Sequence, residues 1–161
     1  MIPPIQFLQD VIGPTLTHLA AMEPRLDTPA ARALLLGTAI QESHLSAYKQ
    51  LGGGPAMSFF QIEPATFEDI FDRYLSRPDK SALRGAVRAL LIPAFEPGEQ
   101  LDTNQHLACA IARIRYWMVP ERMPRPDDID GLAVYWKLHY NTTGGGGSAS
   151  EWALNFRKYA S

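Results

Sequence analysis

Apolar residues recur at three- and four-residue spacing along most of the chain, the mark of amphipathic helices. The strongest run begins at Thr28, which can cap free amides, followed by Pro29, suited to a first helical position. Ala31, Leu34, Leu35, Thr38, Glu42 and Leu45 then lie along one side of a helix predicted over 29–47. Glu42 stands on that stripe where a leucine is expected. Upstream, Ile5, Leu8, Ile12, Leu16 and Leu19 predict a helix over 3–23, kinked or split at Gly13 and Pro14.

Downstream, Phe67, Ile70, Phe71 and Tyr74 predict a helix over 64–76, and Leu83, Val87, Leu90 and Ala94 another that Pro93 bends or ends. Leu107, Ile111, Ile114 and Met118 predict the clearest core helix, over 102–119, with Arg113 and Arg115 toward solvent, or either reaching a wall carboxylate. Ile129, Leu132 and Trp136 mark a helix ending near Tyr140. Ser148 and Glu151 match a capping box before a last helix carrying Trp152, Phe156 and Tyr159. A very small hairpin is expected between 56 and 62. The fold expected is all-α, or mainly helical α+β: one domain over 1–161, of about seven helices around a polar, loop-rich cleft.

The candidate chemistry sits between 42 and 61. A carboxylate among apolar neighbours loses hydration, which favours its protonated form near neutral pH and makes it a proton donor. The competing reading is a structural glutamate, snorkelling at a helix end or paired with an arginine. Gly52, Gly53, Gly54 and Pro55 impose a turn, and Phe59-Phe60-Gln61-Ile62 returns an amide side chain among aromatics. Glu63, Asp69 and Asp72 are the nearest candidates for a second carboxylate. Tyr48, Phe60 and Trp136 are candidate sugar platforms, although aromatics at helical spacing are usually core.

Glu42-Ser43, the glycine loop, Gln61-Ile62 and Pro64 with Thr66 resemble the first signature of the lysozyme-like lytic transglycosylases and goose-type lysozymes. Tyr140-Asn141 with Gly144 and Gly145 resembles that family's later signature. Two positions depart from the pattern: Ser58-Phe59-Phe60-Gln61 replaces Gly-Leu-Met-Gln, and His139 precedes Tyr140 in place of alanine. The resemblance implies a lysozyme-like fold and a peptidoglycan lytic transglycosylase that uses one glutamate, Glu42, as acid and then base. It also implies substrate-binding roles for Ser43, Ser58, Phe60, Gln61, Tyr140 and Asn141, and neither cofactor nor metal. The alternatives are a hydrolytic lysozyme, a non-catalytic glycan-binding or structural protein, and a chitinase-like or chitosan-cleaving glycosidase, which would call for a second cleft carboxylate.

Composition narrows the partners. Over 161 residues the formal net charge is −2, with 46% hydrophobic and 20% charged residues, which offers no basic field for nucleic acid or an anionic membrane. Cys109 is the single cysteine, so neither an internal disulfide nor a cysteine-rich zinc site is expected. His18, His44, His106 and His139 show no paired metal spacing. No apolar run approaches spanning length and no secretory signal is seen. By analogy with the family it resembles, the expected setting is a phage or virion-associated protein, or one released to the cell wall by lysis or a secretion apparatus. Peptidoglycan strands are the expected substrate, with a virion or secretion-apparatus protein as the holder.

Overall fold

The computed structural model describes residues 1–141 and 145–160, and it is mostly helical. The N-terminal helix is one continuous rod in three parts: α1 (Pro4–Phe7), a π-helical turn (Leu8–Ile12) and α2 (Gly13–Ala20). The expected break at Gly13-Pro14 is absorbed by that turn. Gly13 donates to the Leu8 carbonyl five residues back, and Pro14 then occupies an opening position where no amide is needed.

The helix α3 (Pro29–Ser43) starts as expected, with Thr28 Oγ1 accepting from the Ala31 amide at 3.1 Å. It ends four residues earlier than the stripe predicts. His44 and Leu45 are both left-handed, each with φ 50°. Ser43 fixes this end: its hydroxyl donates to the Ala39 carbonyl at 2.9 Å and accepts from the Leu45 amide at 3.2 Å. The N-terminal strap adds a hold from outside, through Ile2 N–H to the Leu45 carbonyl at 2.9 Å. Glu42 therefore lies in the last turn of α3, at the negative end of its dipole.

After α3 the chain forms no strand among the described residues. The expected hairpin is reduced to isolated antiparallel bridges, Lys49 with Met57 and Met57 with Ile62. Ser58 and Gln61, with φ of 70° and 47°, turn the chain between Met57 and Ile62. The next helix, α4 (Pro64–Glu68), runs into a π-helical turn over Asp69–Tyr74.

The helix α5 (Ser81–Arg88) stops short of Pro93. Side-chain amides take over the backbone there: Gln100 accepts from Ile92 N and donates to the Ile92 and Phe95 carbonyls, while Asn104 donates to the Leu90 carbonyl.

The central helix α6 (Gln105–Trp117) buries Leu107, Ile111 and Ile114 completely, worth roughly 1.5–3 kcal/mol per side chain. Met118, expected on that stripe, follows the helix and is exposed. Arg113, expected in solvent, is only 3% exposed. Its Nε donates to the Leu26 carbonyl at 2.7 Å, so it braces the turn ahead of α3.

The helix α7 (Ile129–Trp136) continues as a π-helical turn over Lys137–Asn141. The last helix, α8 (Ala149–Tyr159), opens with the expected capping box of Ser148 and Glu151. It lies against α3 at Gly37, where an added Cβ would stand 2.0 Å from Trp152 Cζ2. Thr38, the polar residue on the α3 stripe, is satisfied by the Leu34 carbonyl and by the Tyr116 hydroxyl at 2.8 Å. No helix among the described residues is long and apolar enough to cross a membrane. Residues 142–144, and with them Gly144 of the second signature, lie outside the described residues.

Candidate active site

The end of α3, the loop over 46–63 and the π-helical turn after α7 enclose a cleft of about 550 Å³. Glu42, Gln61, Glu63, Arg115, Tyr140 and Asn141 are among the residues that line it. Trp136 reaches Glu42 from beneath, and its indole Nε1 donates to Oε1 at 3.0 Å. Desolvation is the largest influence on this carboxyl and raises it to about 7, against the lowering pull of Trp136, Arg115, Asn141 and Lys137. At neutral pH both protonation states are populated, so one group can give a proton and take one back.

The π-helical turn is held from two sides. Arg115 stacks over the Tyr140 ring at 4.2 Å and donates to the Tyr140 carbonyl. Lys137 donates to Asn141 Oδ1 at 2.7 Å and to the carbonyls of Gly145 and Gly147 at 3.0 Å. With its oxygen so engaged, Asn141 lines the cleft beside Glu42 and lowers its pKa. The Tyr140 hydroxyl donates to the Phe60 carbonyl at 2.7 Å, tying this turn to the loop that carries Gln61.

The residues singled out from sequence divide into two groups. Glu42, Ser43, Gln61, Tyr140 and Asn141 come together at the cleft. Within it, Ser43 is buried with its hydroxyl spent on the end of α3, and Tyr140 is buried with its hydroxyl spent on Phe60. Gln61 is half-buried, and its amide donates to the Ser58 carbonyl at 2.8 Å.

Ser58 and Phe60 are fully buried and line no part of the cleft. The Ser58 hydroxyl accepts from the Phe60 amide at 3.1 Å, and the Phe60 ring packs on Phe7 at 5.8 Å. Both shape the loop from within: Ser58 fixes the turn between Met57 and Ile62, and Phe60 anchors it to the core.

Neither Trp136 nor Tyr48 is a platform in the cleft. Trp136 is fully buried, and Tyr48 is exposed outside the lining, its ring edge on Phe59. Glu63 lines the cleft with Glu42, whereas Asp69 and Asp72 do not.

The chain matches no known family. Comparison with protein-family models, with curated proteins and with solved structures finds nothing similar. The roles of these residues therefore rest on geometry.

Sequence reading missed Lys137 and the Trp136 donor, and left Arg115 between solvent and a wall carboxylate; the structure puts it at the cleft, where it acts on Glu42. Lys137 and Asn141 stand at helical i, i+4 spacing, a usable signal. The Trp136–Glu42 contact spans 94 residues and leaves none. Among the described residues, no group of three or more His, Cys, Asp or Glu side chains is placed to hold a metal ion.

Proposed function

We propose that the protein is a peptidoglycan-cleaving glycosidase of the lysozyme-like kind, acting as a lytic transglycosylase through Glu42. The observation that carries this reading is a carboxyl raised to about 7 by desolvation and open to a polar cleft. Protonated Glu42 gives its proton to the oxygen between N-acetylmuramic acid and N-acetylglucosamine, and the bond from that oxygen to the muramyl C1 breaks. The resulting carboxylate then takes the proton from the muramyl 6-hydroxyl as that oxygen bonds to C1. The product is a 1,6-anhydro ring, and Glu42 ends the cycle protonated.

Gln61 and Asn141 supply polar contacts at the cleft wall for the sugar acetamido and hydroxyl groups. Trp136, Arg115 and Lys137 hold and stabilise the carboxylate between the two proton transfers. The setting that fits this reading is a phage virion, lysate or secretion apparatus, with the wall as substrate.

Glu63 favours a second reading, because it lines the same cleft. A carboxylate there can activate water, and the outcome is then hydrolysis of the same bond.

Digestion of purified sacculi followed by mass analysis of soluble muropeptides separates these outcomes. Anhydro-muramyl ends are expected. Products heavier by one water mean a lysozyme, and bound sacculi with no soluble product mean a non-catalytic glycan binder.

A further inference from the structure

A second cavity, of about 1050 Å³, opens at the other end of α3, beside Thr28, Pro29 and Ala30. Thirteen residues of helix separate Pro29 from Glu42, about 20 Å at 1.5 Å per residue. This cavity is therefore distinct from the cleft. Four arginines, Arg25, Arg113, Arg122 and Arg125, line it against two carboxylates, Glu121 and Asp128. Arg25 is paired with Glu23 and Arg125 with Asp127.

Arg113 is different. It is 97% buried, and among the described residues its guanidinium meets no carboxylate in an ion pair. Asp27, which acts on it through space, is engaged by Arg32 at 2.7 Å. Arg113 Nε and Nη2 serve the Leu26 and Arg25 carbonyls, and Nη1 has no hydrogen-bond partner among the described residues. Burial lowers this group to about 10. Burying a cation without a counter-charge is costly; the Trp117 ring, 5.6 Å from the guanidinium, offsets part of that cost, and the edge left without a hydrogen-bond acceptor lies at the wall of an open cavity. The N-terminus of the 15-residue α3 adds positive potential at the same wall. The remaining walls are apolar: Trp117, Met123, Pro124 and the Tyr135 ring.

We propose that this cavity binds a carboxylate carried on an aromatic or flat apolar body. The carboxylate meets Arg113 and the start of α3, and the apolar body lies against Trp117, Met123 and Pro124. A free aromatic acid and the C-terminal residue of a peptide share this chemistry.

The test uses the whole protein labelled with ¹⁵N and three probes: N-acetyl-phenylalanine, its neutral amide, and 3-phenylpropionate. At least one carboxylate is expected to bind about tenfold or more tighter than the amide, since a charge-assisted pair is involved. Its amide shift changes should centre on 25–30, 113–117 and 119–126. Tighter binding of the acetylated amino acid identifies a peptide end. Equal or tighter binding of 3-phenylpropionate identifies a free acid.

Arg113→Lys should weaken the carboxylate at least fivefold and leave the amide unchanged. Should that variant fail to fold, Arg122→Ala at the exposed rim is expected to weaken the carboxylate by about twofold or more, through the lost charge. Equal binding of acid and amide, no binding of either carboxylate, or shifts centred on Glu42 would overturn the proposal.

Discussion

The indole nitrogen of Trp136 donates to Glu42 Oε1 at 3.0 Å, from a ring with no exposed surface. A residue of the core thus aims a residue of the cleft. This donor favours the ionised carboxylate, and desolvation favours the protonated acid, so the value of about 7 reflects their opposition. Trp136→Phe is expected to raise the Glu42 pKa and to reduce turnover about tenfold, the scale of one hydrogen bond to a charged group. Carboxyl-carbon NMR titration and the rate of sacculus release check both. A variant with an unmoved titration would separate the indole from the acid.

Burial of Glu42 also sets a pH dependence of stability. Its folded value, about 7, exceeds the unfolded 4.5. Between these values the folded chain holds a proton that the unfolded chain has released, so stability falls as pH rises through the window. The loss is complete above about pH 7 and amounts to roughly 3 kcal/mol. Glu42→Gln should therefore be more stable than the parent at pH 8, by about 1–3 kcal/mol, and equal to it near pH 4. Urea unfolding at the two pH values measures this, and the same variant should release no muropeptides.

On the proposed mechanism the protonated acid fixes the alkaline limb of the activity profile. Release from sacculi should fall about tenfold per pH unit above the Glu42 value. A profile flat from pH 6 to 9 would exclude Glu42 as proton donor.

Tyr140→Phe removes the hydroxyl that bonds the buried Phe60 carbonyl at 2.7 Å. The orphaned acceptor should cost about 1–3 kcal/mol. Faster hydrogen exchange is expected over 57–62, where the left-handed residues Ser58 and Gln61 depend on that anchor. Thermal unfolding and exchange mass spectrometry read the two effects.

Gly37→Ala tests how closely α8 lies on α3. The new methyl would overlap Trp152 Cζ2 and Cη2, at 2.0 and 2.5 Å. Both helices are long and buried along this seam, so the overlap should cost about 3 kcal/mol. A lowered Tm is expected, with the Glu42 titration unchanged.

The sequence made the helices legible where the signal is local. Thr28 before Pro29, and Ser148 with Glu151, mark helix starts that the structure places at the same residues. Ends decided at a distance were less legible. The apolar stripe of α3 continues through Leu45, yet Ser43 and the Ile2 contact turn the chain into left-handed conformation at His44. Arg113 illustrates a second limit: a charge on a helix reads as solvent-facing unless distant carbonyls such as that of Leu26 are known to receive it. At the cleft, Glu42 was visible as a polar break in an apolar stripe. Its hydrogen-bond donor was not, because a tryptophan at core spacing carries no sign of where its nitrogen points.

The turn over Lys137–Asn141 makes spacing itself part of the cleft. A π-helical turn holds one residue more than an α-helix fits in the same rise, and here that surplus carries Tyr140 to Phe60 and Asn141 to Glu42. Excising exposed Leu138 would remove that surplus and relax the turn toward an α-helix, withdrawing Tyr140 and Asn141 from these partners although every named side chain is kept. The site is thus vulnerable to a deletion that touches none of its contacts.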